Sequence, residues 1–325
     1  MGYIRRQLKT RWGRRVALLL VLLSILWIAS RCDNTIKPPA LVYLPDGNIS
    51  EQFQALRQQE LDLSMSDFAN ANATLPMRSG WIRFNPFYPL EPIQIAKRLV
   101  NAQREPTRRV VMYSGETLHL FIGRLASQTQ LPRSKLLNAY YDFSPYADGG
   151  ILAGFYSIPY KITPEAAMYY MTHRSEQAFR AIATKHHIPY RIPTFKNYLI
   201  VASIIQKETW HAEEMPHIAS VIYNRLQRNM KLQLDATLNY GPYAHTPVTP
   251  ERIRTDASAF NTYKHTGLPP EPIGSVSRAA LHAAMQPAQT NDLYFVRNPK
   301  GWHTFSKTYA EHLEKIRKYR EPKAR

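Results

Sequence analysis

The sequence places a glutamate at the end of an apolar helical pattern, in the run IIQKETWHAEE at 204–214. The residues that recur at spacings of three and four, and so share one helical face, are Tyr198, Val201, Ile205 and Glu208. A carboxyl group on a buried face loses hydration, which raises its pKa towards the range of a general acid. The alternative is a frayed helix end at which Glu208 pairs with Lys207, His211 or a distant arginine.

Other chemistries are weakly supported by the motifs. Glu208 and His211 form an E-x-x-H spacing, which can place two metal ligands on one helical face. An H-E-x-x-H motif is absent from the sequence, and no metal site is predicted. The nucleophile elbow G-x-S-x-G and the phosphate loop G-x-x-x-x-G-K are absent too. Serine-nucleophile and phosphate-loop chemistry are therefore not expected.

The chain has a formal net charge of +18 that is unevenly distributed. Residues 1–32 contain seven lysines and arginines and no acid, so part of the charge belongs to a targeting segment. A basic surface suits a membrane, an acidic polymer or nucleic acid. The basic residues beyond that segment form no dense stripe, and the chain is predicted to be exported. A nucleic-acid partner is therefore not expected.

The run VALLLVLLSILWIAS between Arg15 and Arg31 predicts membrane targeting. It is slightly shorter than the roughly 17 to 25 residues of a spanning helix, but flanking arginines can extend its reach. No small-residue cleavage site follows, so a retained signal anchor at 16–30 is favoured over a cleaved signal peptide. The basic tail at 1–15 would stay in the cytoplasm, and the residues after 32 would lie outside the cytoplasmic membrane. Cys32, the single cysteine, allows no intrachain disulfide.

Two stretches of the chain share one pattern. VYLPDGNISEQFQAL from Val42 and VMYSGETLHLFIGRL from Val111 each predict a strand, a glycine turn and an amphipathic helix. Behind each come a glycine, an alternating strand, a proline turn and another helix, beginning at Gly80 and Gly154. This likeness favours a duplicated small α+β unit over chance similarity between ordinary strand and helix pairs.

The pattern changes near Thr194, which is a plausible N-cap for the helix that leads to Glu208. Helices are also predicted at 215–229, at 277–285 and from Tyr309, with a polar loop region at 242–266 and a strand in DLYFVRN. The predicted divisions are a cytoplasmic tail (1–15), an anchor (16–30), a linker (31–40), two α+β units (41–105 and 106–193) and a C-terminal domain (194–325).

Five separated motifs in the C-terminal domain resemble, in order and spacing, the MltG (YceG-like) endolytic murein transglycosylases. They are ASIIQKET, IASVIYNRL, MKLQLDATLNYG, NTYKHTGLPPEPI and LYFVRNPKGWHTFSKTYAEH. The match before residue 110 is much weaker. The resemblance implies an α+β protein with one N-terminal membrane anchor, a LysM-like membrane-proximal unit and an extracytoplasmic catalytic domain.

The resemblance also implies a reaction and its residues. Glu208 corresponds to the catalytic glutamate of the K-E-T motif, and no cofactor is required. The polar positions implied in substrate binding or cleft architecture are Gln233, Asp235, Asn261 and Tyr263; for Asp235 the alternative is a turn or helix cap. The expected reaction cleaves the β-1,4 bond between MurNAc and GlcNAc in nascent peptidoglycan and leaves 1,6-anhydromuramic ends. The implied partners are glycan strands, the cytoplasmic membrane and peptidoglycan synthases.

Several positions depart from the family pattern. Gln206 replaces the first acid of E-K-E-T, and Leu234 and Ala236 stand where threonine and proline are usual. Ala153 replaces the glutamate usual before Gly154. These departures motivate a second hypothesis, in which the protein is a catalytically inactive membrane-anchored scaffold or binding protein of the cell wall.

Overall fold

The structure is a computed structural model that describes residues 35–241 and 246–320. The chain divides into two compact units, Met1–Pro106 and Thr107–Arg325. Within the described residues, no helix has the length and apolar character needed to cross a membrane. The predicted anchor at 16–30 lies outside the described residues.

The first unit packs an antiparallel strand pair and three helices around one core. Its elements are β1 (Leu41–Leu44), α1 (Ile49–Gln58), α2 (Met65–Asn70), β2 (Gly80–Arg83) and α3 (Pro92–Asn101). All five elements contribute buried apolar side chains to the core. Local sequence fixes the helix starts, because Asn48 and Ser64 form capping boxes with acids three residues later.

The second unit begins with a comparable order of elements. They are β3 (Thr107–Met112), α4 (Leu118–Thr129), α5 (Arg133–Phe143), β4 (Gly154–Pro159) and α6 (Pro164–Lys185). The last residue of the first strand pairs with the glycine that opens the second strand in both units, Leu44 with Gly80 and Met112 with Gly154. Both stretches therefore contain the strand, helix and glycine-led strand that the sequence predicts.

The remainder of the second unit surrounds one long helix. Its elements are α7 (Ile192–Glu208), α8 (Met215–Gln227), α9 (Asp235–Leu238), α10 (Pro250–Thr255), α11 (Arg278–Met285), β5 (Tyr294–Arg297), β6 (His303–Ser306) and α12 (Tyr309–Arg320). Apolar residues of α7 share a core with α6, α8 and α11. Residues 106–193 and 194–325, which the sequence analysis assigned to separate divisions, thus contribute to the same core.

The structure corrects two local predictions. Thr194 is not the N-cap of α7, because the helix begins at Ile192 with Arg191 in the cap position. Pro193 is tolerated in the first turn, where its missing N–H would have no helical partner. The polar region at 242–266 is not all loop, since it contains the short helix α10, whose first turn Thr249 caps.

Candidate active site

Glu208 is the last residue of α7, the helix at the centre of the core. Val201 and Ile205 on its face are fully buried, so the helix is held firmly up to its final turn. Thr209 takes an extended backbone conformation and ends the helix. Glu208 is partly buried, and this desolvation, followed by the negative charge of Asp235, raises its pKa to about 7. Such a carboxyl can both donate and accept a proton near neutral pH.

Asp235 and Tyr263 lie beside this carboxyl group. Asp235 opens the one-turn helix α9, and its Oδ1 accepts a 2.6 Å hydrogen bond from the hydroxyl of Tyr263. Burial, this hydrogen bond and the charges of Asp235 and Glu208 all raise the pKa of Tyr263. Its hydroxyl therefore stays protonated near neutral pH and remains a donor. The tertiary structure thus brings together three of the five residues selected from the sequence.

Thr262 fixes the segment that carries Asp235. Its carbonyl oxygen accepts from Gln233 N at 3.1 Å, and its Oγ1 accepts from Leu234 N at 3.0 Å. The Oγ1 atoms of Thr237 and Thr262 are also 3.0 Å apart. Thr262 was not among the residues predicted from the sequence, although it lies within the motif NTYKH.

Gln233 takes a left-handed backbone conformation with φ of 51°, and its side chain is exposed. It borders a cavity of about 230 Å³. The other lining residues are Arg225, Leu234, Tyr263, Tyr294, Phe295, Tyr309 and His312. This position makes Gln233 available to a bound molecule.

Asn261 is fully buried, unlike Gln233. Its Nδ2 donates to the carbonyl oxygens of Ile253 at 3.0 Å and Asp256 at 2.8 Å, while its Oδ1 accepts from Tyr263 N at 3.1 Å. Each polar atom of its side chain therefore has a backbone partner. Of the two roles implied for Asn261, substrate binding and cleft architecture, this geometry favours architecture, since the side chain holds the loop that presents Tyr263.

A buried polar network fixes the turn that follows Glu208. Thr209 Oγ1 donates to Glu214 Oε2 at 2.8 Å and accepts from His211 N at 3.0 Å. Glu214 also accepts from the backbone N–H of His303, and its Oε2 lies 3.0 Å from His303 Nδ1. Burial opposes ionisation of Glu214, but the hydrogen bonds from His303 and Thr209 outweigh it and lower the pKa of Glu214. The sequence analysis did not select these three residues, although the resembling motifs contain Thr209 and His303.

The cations nearest Glu208 in the sequence have other neighbours. Burial lowers the pKa of Lys207, and the charge of Asp148 opposes that shift. The imidazole of His211 stacks on Trp302, with ring centroids 3.8 Å apart. Among the residues that the structure describes, Glu208 has no ion-pair partner, and no group of three or more His, Cys, Asp or Glu could hold a metal ion.

The sequence matches the YceG-like family over residues 42–318. The chain belongs to the YceG-like family. This confirms the resemblance carried by the five motifs, and the mixed α+β fold agrees with it.

The chain is similar to curated and solved members of this group. It is 38% identical over 121 residues to the endolytic murein transglycosylase of Bacillus subtilis, a match that covers 37% of this chain and 34% of that protein. It is 34% identical over 108 residues to the one of Streptococcus pneumoniae, covering 32% of this chain and 20% of that protein. The chain thus spans about a third or less of the length of these relatives. Its fold resembles the crystal structure of a yceG-like protein from Listeria monocytogenes, with TM-score 0.56 and 24% identity, covering 87% of this chain and 99% of that one.

Gln206 and Ala153 both depart from the YceG-like pattern, and both form hydrogen bonds to the segment at residues 275–277. Gln206 Oε1 accepts from Ser277 N at 3.1 Å, and Ala153 N donates to Val276 O at 2.9 Å. Gly274 permits the close approach of this segment to the β3–α4 turn, because a Cβ there would lie 2.9 Å from Gly115 O. The side-chain amide of Gln206 therefore anchors the end of α7 to residues 275–277.

Proposed function

We propose that the protein is an endolytic lytic transglycosylase of peptidoglycan, with Glu208 as its catalytic acid and base. The substrate is the β-1,4 bond between MurNAc and GlcNAc in nascent glycan strands. The main support is the position of Glu208, partly buried at a rigid helix end beside Asp235, with a pKa near 7. The similarity to proteins named endolytic murein transglycosylase supports the same reaction.

Glu208 performs both proton transfers of this reaction. In its protonated form it donates to the oxygen that leaves C1 of the muramic residue as the C1–O bond breaks. The resulting carboxylate then takes the proton of the C6 hydroxyl of the same sugar, whose oxygen forms the new bond to C1. The products are a 1,6-anhydromuramic end and a free GlcNAc hydroxyl, and Glu208 is protonated again. No water is consumed. Cleavage of nascent strands is expected to terminate glycan elongation.

Asp235 has an electrostatic role in this proposal. Its charge favours the protonated form of Glu208, and the same charge would stabilise positive charge that develops at the sugar ring in the transition state. One of its oxygens already binds the hydroxyl of Tyr263. Intramolecular attack by the substrate hydroxyl gains from proximity, which favours it over attack by water. Hydrolysis with Asp235 as the second carboxylate is the competing outcome.

Digestion of glycan strands in ¹⁸O-labelled water tests the reaction. Purified full-length protein in detergent should release fragments with unlabelled anhydromuramic ends, as measured by mass spectrometry. Glu208→Gln should lower the rate at least about 100-fold without lowering the melting temperature. The matched control is Glu213→Gln, which changes an exposed acid in the following turn and should remain active. Label at new muramic ends would instead show hydrolysis and assign Asp235 a direct role.

We also propose a location for this activity, on the extracytoplasmic face of the inner membrane. The apolar run at 16–30 between basic residues supports a retained anchor, and the β1–α1–α2–β2 order supports a LysM-like unit at 41–105. Peptidoglycan synthases are the expected neighbours. Carbonate extraction and N-terminal sequencing of protein from cells test the anchor. Release by carbonate of a protein that begins near residue 33 would contradict it.

An inactive scaffold or binding protein is the second candidate function. Ala153, where the family has a glutamate, is the observation that favours it. Wild-type protein that binds isolated sacculi but releases no fragment from them would support the scaffold and reject the enzyme.

A further inference from the structure

Two aromatic rings that follow Glu208 closely in the chain, those of Trp210 and His211, form a group with the ring of Trp302. Trp210 is 71% exposed and Trp302 is 39% exposed, although tryptophan is usually well buried. His211 lies between them, stacked on Trp302 and tilted against Trp210 with centroids 5.3 Å apart. The guanidinium carbon of Arg297 lies 5.1 Å from the centroid of the Trp210 ring. We call these four residues the aromatic platform.

The platform is held in place by hydrogen bonds among the residues next to it. The buried network of Thr209, Glu214 and His303 ties the turn that carries Trp210 to strand β6. On the other side, Asn298 Oδ1 accepts from Trp302 N at 3.2 Å. Rings that are fixed before a ligand arrives lose little conformational freedom on binding.

Arg297 is fixed in a similar way on the β5–β6 hairpin. Its Nε donates to Gly301 O at 3.1 Å, and it pairs in register with His303. This hydrogen bond closes the hairpin turn beneath the exposed end of the Arg297 side chain. A positive charge therefore stands at a defined place on the edge of the platform.

The platform continues from the candidate active site. Trp210 is two residues from Glu208, so their Cα atoms are at most about 7 Å apart. The hairpin makes a second connection, because Phe295, two residues before Arg297 on β5, lines the same cavity as Tyr263. A polymer bound at Glu208 and extending in this direction would pass over the platform.

The chemistry of the platform suits a carbohydrate with acidic groups. The faces of aromatic rings carry partial negative charge, which attracts the weakly positive C–H groups on the face of a pyranose ring. The exposed guanidinium of Arg297 can bind a carboxylate with two parallel hydrogen bonds. Peptidoglycan offers both partners, since its sugars present C–H faces and its stem peptides carry carboxylates, as do its lactyl groups where the peptide has been removed.

We propose that the aromatic platform is a binding subsite for the peptidoglycan strand, next to the bond that is cleaved. Sugar rings pack on Trp210 and Trp302, and Arg297 binds a carboxylate of the muramic residue or its stem. This inference rests on the proposed function for its choice of ligand. Tryptophan is also common at membrane interfaces, so a lipid surface is the competing occupant in the test.

Binding is measured without turnover, in full-length Glu208→Gln protein in detergent. The probe is glycan strands freed of their peptides by an amidase. Adding Trp210→Ala or Trp302→Ala should weaken binding about threefold to tenfold, the loss expected for one aromatic stacking contact. Trp210→Phe should recover most of the affinity. Arg297→Gln should weaken binding to these strands, which carry free lactyl carboxylates, or to intact strands, whose carboxylates lie on the stem peptides.

Tyr160→Ala is the matched control. Tyr160 is 57% exposed and has the guanidinium of Arg108 4.7 Å from its ring, but it lies beyond the end of β4 remote from Gly154. Glycan binding should not change in this variant. Because Trp210 is so exposed, its replacement should fold normally, and it decides the test if the Trp302 variant does not fold.

Kinetics with an active Glu208 separate this inference from the proposed function. The platform variants should raise KM for glycan strands and change kcat by less than about twofold. The reason is that the lost contacts stabilise the bound substrate and the transition state equally. Platform variants that bind glycan as tightly as their parent would overturn the proposal. So would variants that keep glycan binding and lose binding to phosphatidylglycerol vesicles. A wild-type protein that makes no product, with platform variants that still weaken glycan binding, would reject the enzyme and retain the subsite.

Discussion

The hydroxyl of Tyr263 donates a 2.6 Å hydrogen bond to Oδ1 of Asp235, across two segments separated by 28 residues. The N–H groups of Gln233 and Leu234 donate to Thr262 O and Oγ1, and these bonds hold the two segments together. The pair holds a negative charge next to Glu208, and that charge contributes to the raised pKa of Glu208. The proton affinity of the Glu208 carboxyl therefore depends on a loop contact and not only on its own helix.

Asp235→Asn should shift the pH dependence of activity. In the proposed reaction, protonated Glu208 donates to the leaving oxygen in the first step. The value of kcat/KM should therefore fall as pH rises through about 7. Removing the negative charge at position 235 lowers the pKa of Glu208, and the alkaline limb should move to lower pH by about half a unit to one unit. Tyr263→Phe is the control because it keeps the charge of Asp235. An unshifted limb in Asp235→Asn would show that this charge does not reach Glu208.

Glu208→Gln should change how stability depends on pH. A carboxyl whose pKa is raised on folding contributes stability that is fully present below its unfolded value near 4.5 and is lost as pH rises through about 7. Glutamine does not ionise, so its free energy of unfolding does not contain this loss. Between pH 5 and pH 8 the free energy of unfolding of the variant should therefore increase relative to that of the wild type, by up to about 3 kcal/mol. Urea unfolding across this pH range measures the difference. A constant difference would mean that folding does not raise the pKa of Glu208.

Asn261→Asp should damage the fold. The carboxylate would face the carbonyl oxygens of Ile253 and Asp256 and could donate to neither. We expect a loss of about 2 to 4 kcal/mol in the free energy of unfolding. Gln233→Ala, at an exposed position on the cavity rim, should leave stability unchanged and raise KM. The reverse pattern, with KM altered by Asn261→Asp and stability retained, would assign Asn261 to substrate binding.

Thr209→Val should loosen the turn beside Glu208. The variant loses the hydrogen bonds of Oγ1 to Glu214 and His211 in a buried place, which should cost about 1 to 3 kcal/mol of stability. The carboxyl of Glu208 would then be held less firmly, and kcat should fall about tenfold. Thr209→Ser keeps the hydroxyl and should restore most of both quantities. Equal stability and activity in the valine variant would remove this network from the mechanism.

Local patterns in the sequence predicted much of the fold. Helix and strand periodicities depend on near neighbours, so the helix ending at Glu208, the helices α8 and α11, and the paired strand and helix units could be read from residue spacing. The buried face of α7 likewise indicated that Glu208 would lose hydration. Thr194 was misassigned because a favourable cap residue is a local preference, and a proline one position earlier allowed the helix to start sooner.

The tertiary structure decided which groups support Glu208. Thr209 and Glu214 are bridged to His303, which is 89 residues beyond Glu214, and no periodic pattern links positions so far apart. Asn261 illustrates the same limit, because its amide is occupied by backbone atoms that only the folded loop brings within reach. Sequence determined the chemical groups and the helix that carries the acid, whereas packing determined their partners, their hydration and therefore their proton affinities.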